Sequence, residues 1–194
     1  QLADHTVGLD VGLLIAAAGF GTSGPLLDAS LDEEVEMIAL NCASVMAQTW
    51  LFGRRLAARR RGGIVLLSSL LAFSGVPRAA NYAATKAYVQ SLAEGLRLEL
   101  SAAGVDVIAS APGPVHSGFA RRASMQMSLA VQPDVVARVT LDALGRKTTV
   151  RPGSLSKLLG WSLATTPRWA QSIILGLVMK SMTSHPVPAR TAPG

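Results

Sequence analysis

Residues 62–69 read Gly-Gly-Ile-Val-Leu-Leu-Ser-Ser. Two glycines end whatever precedes them, four aliphatic residues follow without a break, and two small hydroxyl residues close the run. A short, wholly apolar segment between turn signals is a strand buried on both faces, as parallel sheets require. Upstream, Ser30 followed by Glu33 is a capping-box pattern, and it opens a long helix to about Arg59 that Gly62-Gly63 terminates. Before it, Leu9–Ala18 (LDVGLLIAAA) is a second apolar strand that runs into a Gly/Pro loop, Gly19–Pro25. Downstream, a loop with Gly75 and Pro77 leads into a helix from about Asn81 to Ala102, stopped by Gly104. Val105–Ala111 is the third strand, closed by Pro112-Gly113. A helix over Pro133–Leu144 and a short strand near Thr148–Val150 follow. Leu155–Met182 reads as one or two apolar helices broken at Pro167, and no internal repeat is present.

Strand and helix alternate, so the fold class is α/β, with a doubly wound parallel sheet and helices on both faces. The expected organisation is one α/β domain over 1–152, apolar C-terminal helices over 153–184 and a disordered tail over 185–194. Ligands of such sheets bind beyond the carboxyl ends of the strands. Those ends are Gly19–Gly24, Ser68-Ser69 and Pro112–Ser117.

Composition narrows the function. A chain of 194 residues with 49% hydrophobic and 15% charged residues can bury a sizeable core. One cysteine, Cys42, excludes an intrachain disulfide framework, and His5, His116 and His185 lack metal-ligand spacing, so no metal is expected. No signal pattern opens the chain, and its apolar runs fall short of the ~20 residues that span a bilayer. A cytoplasmic protein is expected. The net charge of +6 comes largely from Arg54, Arg55, Arg59, Arg60 and Arg61. No aromatic lies within that cluster to stack on bases, so it reads as a solvated helix end and no nucleic-acid partner is expected.

Gly19, Gly21 and Gly24 spell G-x-G-x-x-G after a strand. The helix and second acidic strand of a dinucleotide fingerprint are absent, since Pro25 follows the third glycine and Asn41 lies mid-helix. The glycines then serve a tight strand exit with room for a ligand near the backbone. Tyr82 and Lys86, four residues apart at a helix start, share one face. An ammonium beside a phenol favours the phenolate and pulls it down from ~10. Ser69, at a strand end, faces the same crevice.

These motifs, in order, resemble the short-chain dehydrogenase/reductases. Ala16-Ala17-Ala18-Gly19 stands for the NNAG-like turn. Asn41 is the helix asparagine, GGIVLLSS the serine strand, Tyr82-Ala83-Ala84-Thr85-Lys86 the helix motif and Pro112-Gly113-Pro114-Val115-His116-Ser117 the P-G-x-V-x-[T/S] turn. The resemblance implies a partial Rossmann-like sheet and an NAD(P)-dependent oxidoreductase interconverting a carbonyl and an alcohol. It implies Tyr82 as acid/base, Ser69 holding the substrate oxygen, Lys86 lowering the Tyr82 pKa and bonding the nicotinamide ribose, and Asn41 keeping a water in a proton relay. Ala18, Gly19, Asn41, Tyr82, Lys86, Pro112, Gly113, Val115 and Ser117 would then meet the cofactor, NAD or NADP, with NADP slightly favoured.

Two departures stand out. Ala17 replaces an asparagine of the turn. Also, the family's glycine-rich phosphate loop lies upstream of the first strand seen here, so the chain reads as the later two-thirds of the fold and as part of a longer protein. The expected partners are a lipophilic small-molecule carbonyl or alcohol and a second copy, the dimer forming through the helices at 30–59 and 81–102. The C-terminal helices read as a substrate lid, with membrane-surface attachment as the rival. The competing functions are a non-catalytic scaffold or inactive fragment and, more weakly, a membrane-surface module.

Overall fold

The computed structural model describes residues 2–123, 130–153, 156–157 and 165–183. A short helix α1 (Leu2–His5) precedes strand β1 (Leu13–Ala16). Helix α2 (Leu31–Ile38), a π-helical turn (Ala39–Ser44) and α3 (Val45–Ala58) form one continuous helical run. Then come β2 (Gly62–Leu67), α4 (Ala80–Ser101), β3 (Val105–Ser110), α5 (Phe119–Arg122), α6 (Pro133–Ala143), β4 (Thr149–Val150) and α7 (Arg168–Thr183). The expected 185–194 tail and most of the expected helix before Pro167 lie outside the described residues.

The four strands are parallel, in the order β1-β2-β3-β4. On one face Leu14, Ile64, Leu66, Val105 and Val107 pack against Val45, Phe52 and Leu56 of α3 and Val89 and Ala93 of α4. On the other, Val65, Ile108 and Val150 meet Ala143 and Val139 of α6. Helices therefore cover both faces, and β2 and β3 read as unbroken apolar runs because both of their sides are buried.

Several expectations change. β1 is four residues long, not ten. The preceding segment is held by the arginine cluster instead of pairing. Arg55 binds the Thr6 hydroxyl at 2.9 Å, Arg59 the Asp10 carboxylate and Val11 carbonyl, and Arg61 Asp10 at 2.8 Å. The cluster is thus a tether between the N-terminal segment and α3, not only a solvated helix end. Ser30 does cap α2, but its side chain makes no capping hydrogen bond. The run Leu31–Ala58 has 28 residues and holds an 18-residue stretch with a mean hydropathy of 1.2, enough by length and composition to cross a bilayer. Here it is the crossover from β1 to β2, with Met37, Val45, Phe52 and Leu56 buried.

Candidate active site

The carboxyl ends of β1, β2 and β3 open into one cavity of about 770 Å³. That lies within the range of small-molecule sites. Gly19, Ser69, Tyr82, Lys86, Pro112, Gly113, Val115 and Ser117 all line it, so the structure brings most of the sequence-nominated residues together. Ala18 and Asn41 are not among the lining residues; Ala18 is exposed and Asn41 is buried behind the wall.

Ser69 sits where β2 ends and a short 3₁₀ turn begins, and its hydroxyl accepts a hydrogen bond from the Leu71 N–H at 3.2 Å. Tyr82 lies in the first turn of α4, where its ring contacts Phe119 at a centroid distance of 5.2 Å. Lys86 is one turn further on. Its Nζ donates to the Leu67 carbonyl at 2.8 Å and stands 5.8 Å from the centre of the Tyr82 ring.

The electrostatics differ from the expectation that Lys86 pulls the phenol down. Burial pushes Tyr82 up to about 12, and a side-chain hydrogen bond with Ser69 pulls it partly back. Burial also lowers Lys86 from 10.5 to about 8, the Cys42 thiol acting in the opposite sense. Desolvation disfavours both charged forms and here outweighs the opposing effects of Ser69 on the phenol and Cys42 on the ammonium.

Asn41 occupies the π-helical turn, a common device at functional sites. The amide faces inward. Its Nδ2 donates to the Phe20 carbonyl at 2.8 Å and to Thr85 Oγ1 at 3.0 Å, and its Oδ1 accepts from the Phe20 N–H at 3.1 Å. A β-carbon on Gly19 would stand 2.8 Å from Oδ1, so the glycine makes room for this clamp. Gly21 does the same for aromatic rings: a β-carbon there would stand 2.8 Å from Phe119 and 2.9 Å from Tyr82. The space a β-carbon would take at these two glycines is filled by the protein's own side chains, while Gly19 still lines the cavity. Asn41→Ala should strand both backbone groups of Phe20, at ~1–3 kcal/mol for each buried group. Urea denaturation should show a loss of about 2–4 kcal/mol. A loss below about 1 kcal/mol would mean that the loop is held by other contacts.

Sequence reasoning missed several contributors. Thr85 orients Asn41 while donating to the Tyr82 carbonyl at 2.8 Å. Ser156 Oγ accepts from the Gly113 N–H at 2.7 Å and pins that turn. Arg122 stacks over Phe20 at 4.5 Å and lines the cavity. Leu175 and Met179 of α7 are buried and line the cavity, while Trp169, Ile173 and Leu177 are exposed. No spacing in the sequence signals these contacts.

A family model for short chain dehydrogenases matches residues 2–128. Over 185 residues the chain is 28% identical to a probable oxidoreductase, EphD, of Mycobacterium tuberculosis, covering 80% of this chain and 31% of that protein. It is 35% identical over 109 residues to a very-long-chain 3-oxoacyl-CoA reductase of Podospora anserina, covering 55% of this chain and 32% of that one. The chain thus spans about a third of the length of these curated relatives. Among solved structures, a short-chain dehydrogenase of Burkholderia cenocepacia in complex with NADP superposes with a TM-score of 0.79 at 26% identity, covering 90% of this chain and 75% of that one. The fold, the ordered motifs and the family match agree, and the chain belongs to the short-chain dehydrogenase family.

Proposed function

We propose that this protein is an NAD(P)-dependent oxidoreductase interconverting a carbonyl and an alcohol, with Tyr82 as acid/base. The observation that carries this reading is the convergence of Ser69, Tyr82 and Lys86 in one cavity at the strand ends. Ser69 would bind the substrate oxygen and Tyr82 would donate its proton to that oxygen. A phenol pushed up to about 12 carries its proton at neutral pH, as an ordinary phenol near 10 also does, so the proton that carbonyl reduction needs is in place.

The residues present suit the nicotinamide half of the cofactor. Lys86 offers an ammonium to the ribose, and the turn Pro112–Ser117 offers backbone groups to the carboxamide. When bound, the nicotinamide exchanges hydride with the substrate carbon. Gly19 and Gly21 are filled by Asn41, Tyr82 and Phe119, so this glycine loop is not a phosphate cradle.

Leu71, Val136, Leu175, Val178, Met179 and Met182 give the cavity apolar walls, which suit a lipophilic substrate. The acyl substrate in the name of the Podospora relative supports the same choice. The exposed apolar residues Val35, Ile38, Met46 and Trp50 on α2 and α3, with Leu98 on α4, suit a dimer face. The test is oxidation of NADPH and NADH by the complete protein across a panel of long-chain ketones and 3-oxoacyl thioesters. Turnover that requires a long apolar chain is expected. Cofactor binding without turnover of any carbonyl would leave the scaffold reading in place.

A further inference from the structure

Glu34 is the one buried carboxylate among the described residues. It takes no part in the chemistry proposed above, and no salt bridge holds it among the described residues. Burying a charge is costly unless hydrogen bonds satisfy it. Glu34 is satisfied from two directions. Thr22 Oγ1 donates to Oε1 at 2.5 Å, and Asn81 Nδ2 donates to Oε2 at 2.6 Å and to the Glu34 carbonyl at 3.1 Å. Hydrogen bonds of these lengths to a carboxylate are of the strong, charge-assisted kind.

The two partners are not arbitrary. Thr22 follows Gly21, and Asn81 precedes Tyr82. Gly21 is pressed against the edge of the Tyr82 ring, where even a β-carbon would stand 2.9 Å from Cδ2. Glu34 therefore grips one residue on each side of the Gly21–Tyr82 contact. A backbone hydrogen bond from Gly24 N–H to the Arg78 carbonyl, 2.9 Å, closes the same junction further out. Arg78 also lines the small cavity beside Glu34.

We infer that Glu34 is a positioning residue: by clamping the loop after β1 to the first turn of α4, it fixes the seat of the Tyr82 ring against Ser69. The inference rests on the proposed role of Tyr82, but the ring's position can be read without turnover. The chain has two tyrosines, Tyr82 and the exposed Tyr88. In a Tyr88→Phe background, fluorotyrosine labelling gives a single fluorine resonance, that of Tyr82.

Glu34→Ala removes both arms of the clamp. Its resonance should move towards that of a solvent-exposed fluorotyrosine. Glu34→Gln should restore the parent position: its amide oxygen can accept from Asn81, and the Thr22 hydroxyl can turn to accept from its nitrogen. Where the complete enzyme turns over a carbonyl, Glu34→Ala should lower kcat about 10- to 100-fold with little change in KM, the cost of a small misplacement of a reacting group. Should Glu34→Ala fail to fold, Thr22→Val and Asn81→Leu each remove one arm and should each move the resonance part of the way. A folded Glu34→Ala protein, or both single-arm variants, with the resonance at the parent position overturns the inference. A moved resonance in an enzyme that turns over nothing supports the clamp and rejects the proposed reaction instead.

Discussion

Tyr82→Phe should lower carbonyl turnover by about 10²- to 10⁴-fold, the usual share of acid/base catalysis, and leave the fold intact. The substitution removes one oxygen from a buried side chain. The ring keeps its contacts with Phe119 and Gly21, so the packing of α4 on the loop after β1 is retained. What disappears is the proposed proton donor and the Ser69 side-chain influence that partly offsets its burial. Urea denaturation should therefore differ little from wild type, within about 1 kcal/mol for the loss of one hydroxyl. Steady-state oxidation of NADPH on an accepted carbonyl is the measurement. A Tyr82→Phe enzyme with near-wild-type kcat would remove Tyr82 from the chemistry, and the proton would have to come from another group in the cavity.

Tyr82 is singled out by its spacing from Lys86 together with the strand-end serine and the ordered motifs, and the structure shows how far spacing reaches. A run such as Ile64–Leu67 states its own burial, because only a two-sided core accepts four consecutive aliphatic residues. The pair Tyr82 and Lys86 likewise states its shared helical face. Leu9–Ala18 is more ambiguous. Its apolar residues suit a strand throughout, yet only Leu13–Ala16 pairs with β2, while Arg55, Arg59 and Arg61 hold residues 6–11 from a distance of about fifty positions. No local pattern encodes a tether that long.

The glycines carry the same lesson for the site. A glycine reports that something comes close to the backbone, but not what comes close. At Gly19 it is the Asn41 amide and at Gly21 two aromatic rings, and neither could be told from a ligand before the fold was known. The π-helical turn that aims Asn41 at Phe20 has no sequence signature either. Charge meets a related limit. The sequence counts the ammonium of Lys86 but not the water removed around it, and removal of water decides the direction of both shifts.

That balance makes Lys86→Met the more telling of the two variants. Lys86 is 7% exposed, and burial lowers it from 10.5 to about 8. Below pH 8 the folded protein holds an ammonium that the unfolded chain would hydrate, so the cost is present in full. As the pH rises through 8 the folded group loses its proton first, and above 10.5 neither state is charged. The Lys86 contribution to stability therefore improves between about pH 8 and 10.5, by about 3 kcal/mol for a shift of this size. Tyr82 works the other way at higher pH. The unfolded phenol ionises near 10 and the folded one near 12, so stability falls across that interval. Methionine keeps the aliphatic stem and removes both the buried charge and the hydrogen bond to the Leu67 carbonyl, a loss of about 1 kcal/mol. Lys86→Met should then be more stable than wild type at pH 7 by about 2 kcal/mol, with the gain fading by pH 10.5. NADPH affinity and turnover should both fall. Urea denaturation of the two proteins at pH 7 and pH 10, beside a cofactor titration, reads every part of this. A variant less stable than wild type at pH 7 would mean that the ammonium is compensated inside the fold and that Lys86 is held for packing. A variant more stable but impaired would mean that the protein keeps a destabilising charge in its cavity because the site uses it.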